Sequence, residues 1–311
     1  MRIAEAEAPK TVKSEDTRAG FFFALSAYLM WGFLPLYMKA MQSIDPVQII
    51  AHRVFWSLPV AAILLWMLGR TKDIIPTFKN PKKLGILALT ASIISINWGL
   101  YVWAISVERT LETAMGYYIN PLITVAMGAA FLGDRFTRAQ IVALAIATAA
   151  VVLLTVKGGF FPWLSLVLAF SFATYGFLRK TVDVGPTQGF LVEVMLLSPF
   201  ALIYILWLQN SGQGMFLNSS WYTLILIGCG PVTAIPLILY AFGAKGLKLS
   251  TIGLMQYIAP SMIFFIGIFV FKEPFGLWQA IAFAMIWFAL AIYSWSAIKA
   301  QIKQKGSRQK L

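Results

Sequence analysis

The chain has 311 residues, of which 59% are hydrophobic and 12% charged. A soluble protein of this length carries roughly twice that charged fraction, so a soluble enzyme is excluded, and the same figures exclude a disordered chain. With one cysteine and 23 glycines, disulfide-rich and collagen-like classes also fail, which leaves a protein that crosses a bilayer many times.

A hydrocarbon core ~30 Å thick needs about 20 apolar residues per helix. Residues 1–19 are polar and charged and read as a cytoplasmic N-terminal tail. Ten apolar runs follow, at 20–38, 47–68, 84–107, 111–132, 137–156, 162–181, 187–208, 221–242, 250–271 and 276–298. They are continuous rather than alternating, which favours helices over barrel strands. The first is too long for a signal-peptide core and reads as an uncleaved span. Residues 299–311 form a basic cytoplasmic C-terminal tail. The expected fold is an all-α integral membrane protein with ten transmembrane helices, whose short connections leave no room for a soluble domain.

The net charge of +13 is distributed by topology. Alternate connections, beginning with the N-terminal tail, hold twenty of the 25 Lys and Arg residues. The other connections hold four (Lys39, Arg109, Lys157 and Lys272), and Arg53 lies inside the second run. This asymmetry places both termini in the cytoplasm. The cations form no single patch, so they address anionic lipid and the membrane potential rather than nucleic acid.

The sequence partly repeats. A shift of 139 residues lays the fourth and fifth runs on the ninth and tenth, matching Tyr118-Ile119-Asn120-Pro121 to Tyr257-Ile258-Ala259-Pro260. The same shift carries Tyr101 onto Tyr240, Arg109 onto Lys248 and Asp134 onto Glu273. A shift of 140 matches Gln48, Val54 and Pro59 to Gln188, Val194 and Pro199, and one of 144 sets Trp31-Gly32-Phe33-Leu34 against Tyr175-Gly176-Phe177-Leu178. Each unit, 20–156 and 157–298, holds five runs. Five is odd, so the second unit enters the membrane in the opposite sense. Two inverted five-helix repeats enclosing a midplane site are the architecture of a carrier that works by alternating access.

Several segments carry a resemblance. Ala51-His52-Arg53-Val54-Phe55-Trp56-Ser57, Asn97-Trp98, Gly116-Tyr117-Tyr118-Ile119-Asn120-Pro121-Leu122 and Gln256-Tyr257-Ile258-Ala259-Pro260 resemble the RarD branch of the EamA transporters, within the drug/metabolite transporter superfamily. So do Phe131-Leu132-Gly133-Asp134-Arg135-Phe136 and Tyr175-Gly176-Phe177-Leu178-Arg179-Lys180, although Asp134 stands where Glu is expected. The resemblance runs from about residue 18 to 300. It implies a bacterial inner-membrane permease with ten helices in inverted repeats, and the family's label of a chloramphenicol-related exporter.

Polar groups in hydrocarbon are costly and mark function. Arg53 and Glu193 occupy equivalent places in the second and seventh runs and carry opposite charges. Facing a central cavity, Arg53 would hold an anionic or carbonyl group of the substrate, and Glu193 would pair with a cation or carry a proton. The alternative is a structural ion pair, or Arg53 reaching out toward the interface. His52, the one histidine, suits a proton relay, though a packing role is the plainer reading. Pro121 and Pro260 each remove a backbone hydrogen bond inside a run and are expected to kink it. Tyr117, Tyr118, Asn120, Gln256 and Tyr257 lie beside them and are expected to line the cavity. Asn97, Trp98, Trp31 and Tyr175 add polar and aromatic wall. Trp66 and Trp295 read as interfacial anchors, Glu108, Arg109 and Glu112 as a solvated turn, and Asp134 and Glu273 as caps or gates of the adjoining helix. Small residues four apart, such as Ala145 and Ala149, read as helix packing.

One His and one Cys supply no metal site by ligand spacing, and no cofactor motif is present. Gly243–Ser250 holds the residue types of a phosphate-binding loop at the wrong spacing, so direct ATP drive is unsupported. The expected function is secondary transport, with outward direction, of small metabolites or drug-like organic molecules. Its partners are that solute and membrane lipid, with proton coupling and a homodimer both admitted. A membrane scaffold or sensor is the alternative, and no nucleophile with a base, paired acids or metal site recommends an intramembrane enzyme.

Overall fold

The computed structural model describes residues 17–72, 74–132, 137–247 and 249–308. Among these the chain is helical throughout and has no strand. The elements are α1 (Arg18–Lys39), α2 (Pro46–Met67), the short α3 (Ile74–Phe78), α4 (Pro81–Ser106), α5 (Thr110–Leu132), α6 (Arg138–Val156), α7 (Trp163–Thr181), α8 (Pro186–Asn210), α9 (Ser220–Gly246), α10 (Leu249–Met255), α11 (Ile258–Phe265), a π turn at Ile266–Val270, and α12 (Leu277–Arg308).

The helix starts are written locally. Asp45 accepts hydrogen bonds from the amides of Val47 and Gln48, with Pro46 at the first helical position of α2. Asn80 caps α4 in the same way, followed by Pro81. Thr137 and Gln140 form a reciprocal capping box on α6. Among the described residues eight spans are long and apolar enough to cross a membrane: α1, α2, α4, α6, α8, Ser220–Ala244, Thr251–Val270 and Leu277–Ser296. The sequence led to an expectation of ten. The remaining two runs form α5 and α7, helices of 23 and 19 residues. α5 carries Glu112 in its first turn and Tyr117, Tyr118 and Asn120 further along, and α7 carries Arg179 and Lys180 in its last turn.

Large apolar side chains face outward. Trp66 is 74% exposed, Phe200 72%, Phe269 70% and Trp295 73%. Such a surface is unsuited to water and suited to lipid.

α5 lies along α7, α1 along α9, α2 along both α8 and α9, and α6 along α12. Small residues set the closest approaches. A Cβ on Gly230 of α9 would collide with the Trp56 carbonyl oxygen of α2, and one on Gly243 would come within 2.7 Å of the Ala24 backbone of α1. On α6 the buried stripe is Ala143, Ala147 and Ala150, whereas Ala145 and Ala149 are exposed. The small pair picked from spacing lies on the wrong face, because the packed stripe is set by the phase of α12.

The two prolines of the repeat behave differently. α5 runs through Pro121 without interruption. The ninth run breaks: α10 ends at Met255 and α11 begins at Ile258, leaving Gln256 and Tyr257 between them. Pro260 then falls in the first turn of α11, where a helix amide has no partner to lose. The π turn follows, and Lys272 (φ 55°) reverses the chain.

That reversal delivers Glu273 to the start of α5. Its carboxylate accepts from the amides of Thr110 at 2.7 Å and Leu111 at 2.9 Å. Glu273 is buried, and it caps a helix of the other half of the chain rather than the adjoining one. Asp134, its counterpart in the repeat, lies outside the described residues. Charge-assisted bonds to orphan helix amides are worth about 1.5–3 kcal/mol, with about 0.3–1 more from the helix dipole. Glu273→Ala is therefore expected to lower the apparent melting temperature of the detergent-solubilised protein, and Glu273→Gln to lower it less. Equal melting of Glu273→Ala and the parent would show the cap to be inert.

Candidate functional site

A cavity of about 340 Å³ lies inside the bundle. Its walls come from α1, α2, α4, α5, α7, α8, α9 and the α10–α11 segment, and among the described residues neither α6 nor α12 contributes. The lining is mostly aromatic and aliphatic. Its one charged side chain, among the described residues, is Arg53.

Arg53 is 4% exposed. Its Nε donates to Thr233 Oγ1 at 2.8 Å, and its guanidinium lies 4.3 Å from the ring centroid of Trp98. Its Nη1 is buried with no hydrogen-bond partner. Thr233 is itself oriented, because its hydroxyl donates to the Cys229 carbonyl at 2.8 Å. The guanidinium is thus gripped on one edge and one face, and no carboxylate among the described residues neutralises it. A cation held this way is a preorganised receptor for an anionic or carbonyl group.

Glu193 stands behind the wall. It is 2% exposed and does not line the cavity. Thr90 donates to its Oε1 at 2.7 Å, Tyr175 to its Oε2 at 3.2 Å, and Arg179 Nε lies 3.6 Å from Oε1. The ion pair inside the bundle therefore joins Arg179 to Glu193, not Arg53 to Glu193. Tyr175 lines the cavity, so its hydroxyl links Glu193 to the lumen.

The other expected residues divide. Trp31, Trp98, Tyr117, Asn120, Tyr175, Gln256 and Pro260 line the cavity with Arg53. His52 does not: its Nδ1 accepts from Trp56 Nε1 at 3.2 Å and its ring packs on Phe216. Asn97 ties α4 to α7 through bonds to the Leu168 carbonyl (3.1 Å) and Ser171 Oγ (2.8 Å). Tyr118 bonds Ser261 at 2.7 Å and stacks near Tyr257, and Pro121 is likewise outside the lining. Arg109 and Glu112 form a two-bond pair at 2.5 and 2.9 Å, with the guanidinium between Trp103 and Trp163. Arg109 and Glu112 are thus half-buried rather than solvated, whereas Glu108 in the same turn is exposed.

The lining also holds Tyr28, Ile94, Tyr101, Thr233, Leu237 and Tyr240, none of them among the expected site residues. The internal repeat held the signal. A shift of 139 carries Ile94, Trp98 and Tyr101 onto Thr233, Leu237 and Tyr240, and Tyr117 and Asn120 onto Gln256 and Ala259. A shift of 144 carries Tyr28 and Trp31 onto Phe172 and Tyr175. Both members of every one of these pairs face the lumen. Among the described residues no group of His, Cys, Asp and Glu gathers as metal ligands.

Residues 18–156 match the EamA-like transporter family. The chain is 41% identical over 285 residues to Protein RarD of Streptomyces exfoliatus, covering 91% of this chain and 90% of that one. The chain belongs to the RarD branch of the EamA transporters. Protein RarD of Salmonella typhi is 38% identical over 292 residues, covering 94% and 99%. A solved crystal structure shares the fold with a TM-score of 0.58 at 18% identity, covering 91% of this chain and 98% of that one. As an EamA transporter of the RarD branch, the chain is a multi-pass protein of the bacterial inner membrane and a membrane transporter of the drug/metabolite class.

Proposed function

We propose that the chain is a secondary transporter that exports small metabolites or drug-like organic molecules by alternating access. In this reading α5 and α7 also span the bilayer, giving ten crossings in two inverted five-helix repeats with both termini in the cytoplasm. The paired lining residues support it: equivalent positions of the two halves surround one lumen, so each half can open it toward its own side. The observation that carries the reading is Arg53, a buried cation in that lumen with no carboxylate against it among the described residues. Substrate enters, engages Arg53 among the aromatic walls, and leaves when the halves tilt the other way. Glu193, reached through the Tyr175 hydroxyl, is the group that carries a proton in a coupled cycle.

The test is a metabolite screen in proteoliposomes, run with and without a pH gradient. The expected result is concentrative movement of at least one small organic solute, faster with the gradient. Absence of flux for every solute, with a partner protein retained on the purified chain, would favour the scaffold or sensor reading. Reporters fused to each terminus should both respond from the cytoplasm.

A further inference from the structure

The lumen also selects among solutes, and this step rests on the transport reading above. Three observations bear on charge. Arg53 is the single charged side chain among the described lining residues, and it is buried. No Asp or Glu faces it there. The buried carboxylate behind Tyr175, Glu193, is already engaged by Arg179, Thr90 and Tyr175. An empty lumen therefore carries one uncompensated positive charge. A monoanion brings it to neutrality. A cation adds to it, a zwitterion brings an ammonium with no carboxylate to receive it, and a dianion such as a phosphate monoester overshoots.

Two further observations bear on shape. Rings enclose the guanidinium's side of the lumen: Trp98 lies against Arg53, Tyr101 against Tyr117 (5.9 Å between centroids) and Tyr117 against Phe172 (6.0 Å). On α1 and α9, Trp31 and Tyr240 face each other at 5.7 Å. The volume of about 340 Å³ stands at the low end of ligand pockets, which run to roughly 300–1,000 Å³. It accommodates one or two fused rings with a short side chain.

We infer that the substrate class is a small planar aromatic monocarboxylate without an ammonium group, its carboxylate on Arg53 and its ring among the aromatic walls. Asn120 and Gln256, both in the lining, are side-chain amides available to a ring substituent.

A matched set of probes separates charge from shape: indole-3-propionate (anion), its primary amide (neutral), tryptamine (cation) and tryptophan (zwitterion). Each is titrated calorimetrically against the detergent-purified full chain and against Arg53→Gln. The expected result on the parental protein is tightest binding of the anion, by at least tenfold over each of the other three. Arg53→Gln should weaken the anion at least tenfold and the amide less than twofold. Should Arg53→Gln not fold, the ranking on the parental protein decides alone. Binding of tryptamine, tryptophan or the amide as tight as the anion, or no anion binding at millimolar concentration, overturns the inference. The transport reading fails separately, when proteoliposomes move no solute at all. If a neutral or zwitterionic solute is moved and the anion is not, transport stands and this substrate class falls.

Discussion

Arg53→Ala is expected to lower flux of the transported solute at least a hundredfold while leaving folding nearly unchanged. The two halves of that expectation come from the same fact. Arg53 lies buried at 4% exposure without a carboxylate, so taking it out of water costs several kcal/mol that no ion pair offsets. Against this stand one charge-assisted bond to Thr233, worth about 1.5–3 kcal/mol, and the contact with Trp98, worth about 0.5–2 kcal/mol. These terms nearly cancel, so the melting temperature should stay level or rise. A residue whose removal leaves stability intact but destroys flux is held for its chemistry. Arg53→Lys keeps the charge but loses the planar fork and the stacked face, and should fall between the two. Parental flux in Arg53→Ala, measured in proteoliposomes with protein orientation controlled, would falsify the assignment of this cavity as the transport site.

How far the sequence led can be seen at four neighbouring pairs. By sequence both members of His52 and Arg53, Asn97 and Trp98, Tyr117 and Tyr118, and Gln256 and Tyr257 qualify as site residues. In every pair one member lines the cavity and the other packs between helices. Successive residues on an α-helix point about 100° apart, and Gln256 and Tyr257 part at the break between α10 and α11, so a polar or aromatic doublet locates the depth of a site but not its face. The face is set by the neighbours that a helix meets. In an evenly apolar span those neighbours leave little amphipathic trace, since lipid and protein core favour similar side chains. The internal repeat supplies part of that missing phase. Ile94, Trp98 and Tyr101 follow helical spacing on α4, and their counterparts on α9 line the same lumen. Reading the two halves together would have found Tyr101, Tyr240 and Thr233.

Glu193 shows the opposite difficulty. Its depth was legible, but its partner was not. By sequence Arg179 counts among the loop cations that orient the chain, whereas in the fold it turns back onto α8. Gly189, one turn before Glu193, leaves the space: a Cβ there would collide with the guanidinium of Arg179. Arg179 also donates to the carbonyls of Gly185 and Pro186 at 3.3 and 3.2 Å. A charge counted as a topological signal is thus also half of a buried pair, a distinction that depends on chain reversal between α7 and α8.

The pair yields the second large expectation. Removing one member of a buried ion pair costs about 3–5 kcal/mol, because the other charge stays buried without compensation. Glu193→Ala also strands the Thr90 and Tyr175 hydroxyls. It should reduce folded yield and lower the apparent melting temperature, by roughly 2–4 °C per kcal/mol for a chain of this order of size. Glu193→Gln keeps a carbonyl oxygen to accept from one of the Thr90 and Tyr175 hydroxyls and an N–H to donate to the oxygen of the other, and should melt closer to the parent. The double variant Arg179→Gln with Glu193→Gln removes both charges and should recover most of the loss, since a neutral hydrogen-bonded pair carries no ion desolvation penalty. Flux then separates structure from chemistry. A carboxylate that carries a proton cannot be replaced by an amide, so both Glu193→Gln and the double variant should fold and fail to respond to a pH gradient. Tyr175→Phe, which cuts the hydroxyl between Glu193 and the lumen, should fold and show a weakened response. Full gradient-driven flux in the double variant would make the pair a clamp between α7 and α8, and proton coupling would then have to run through another group.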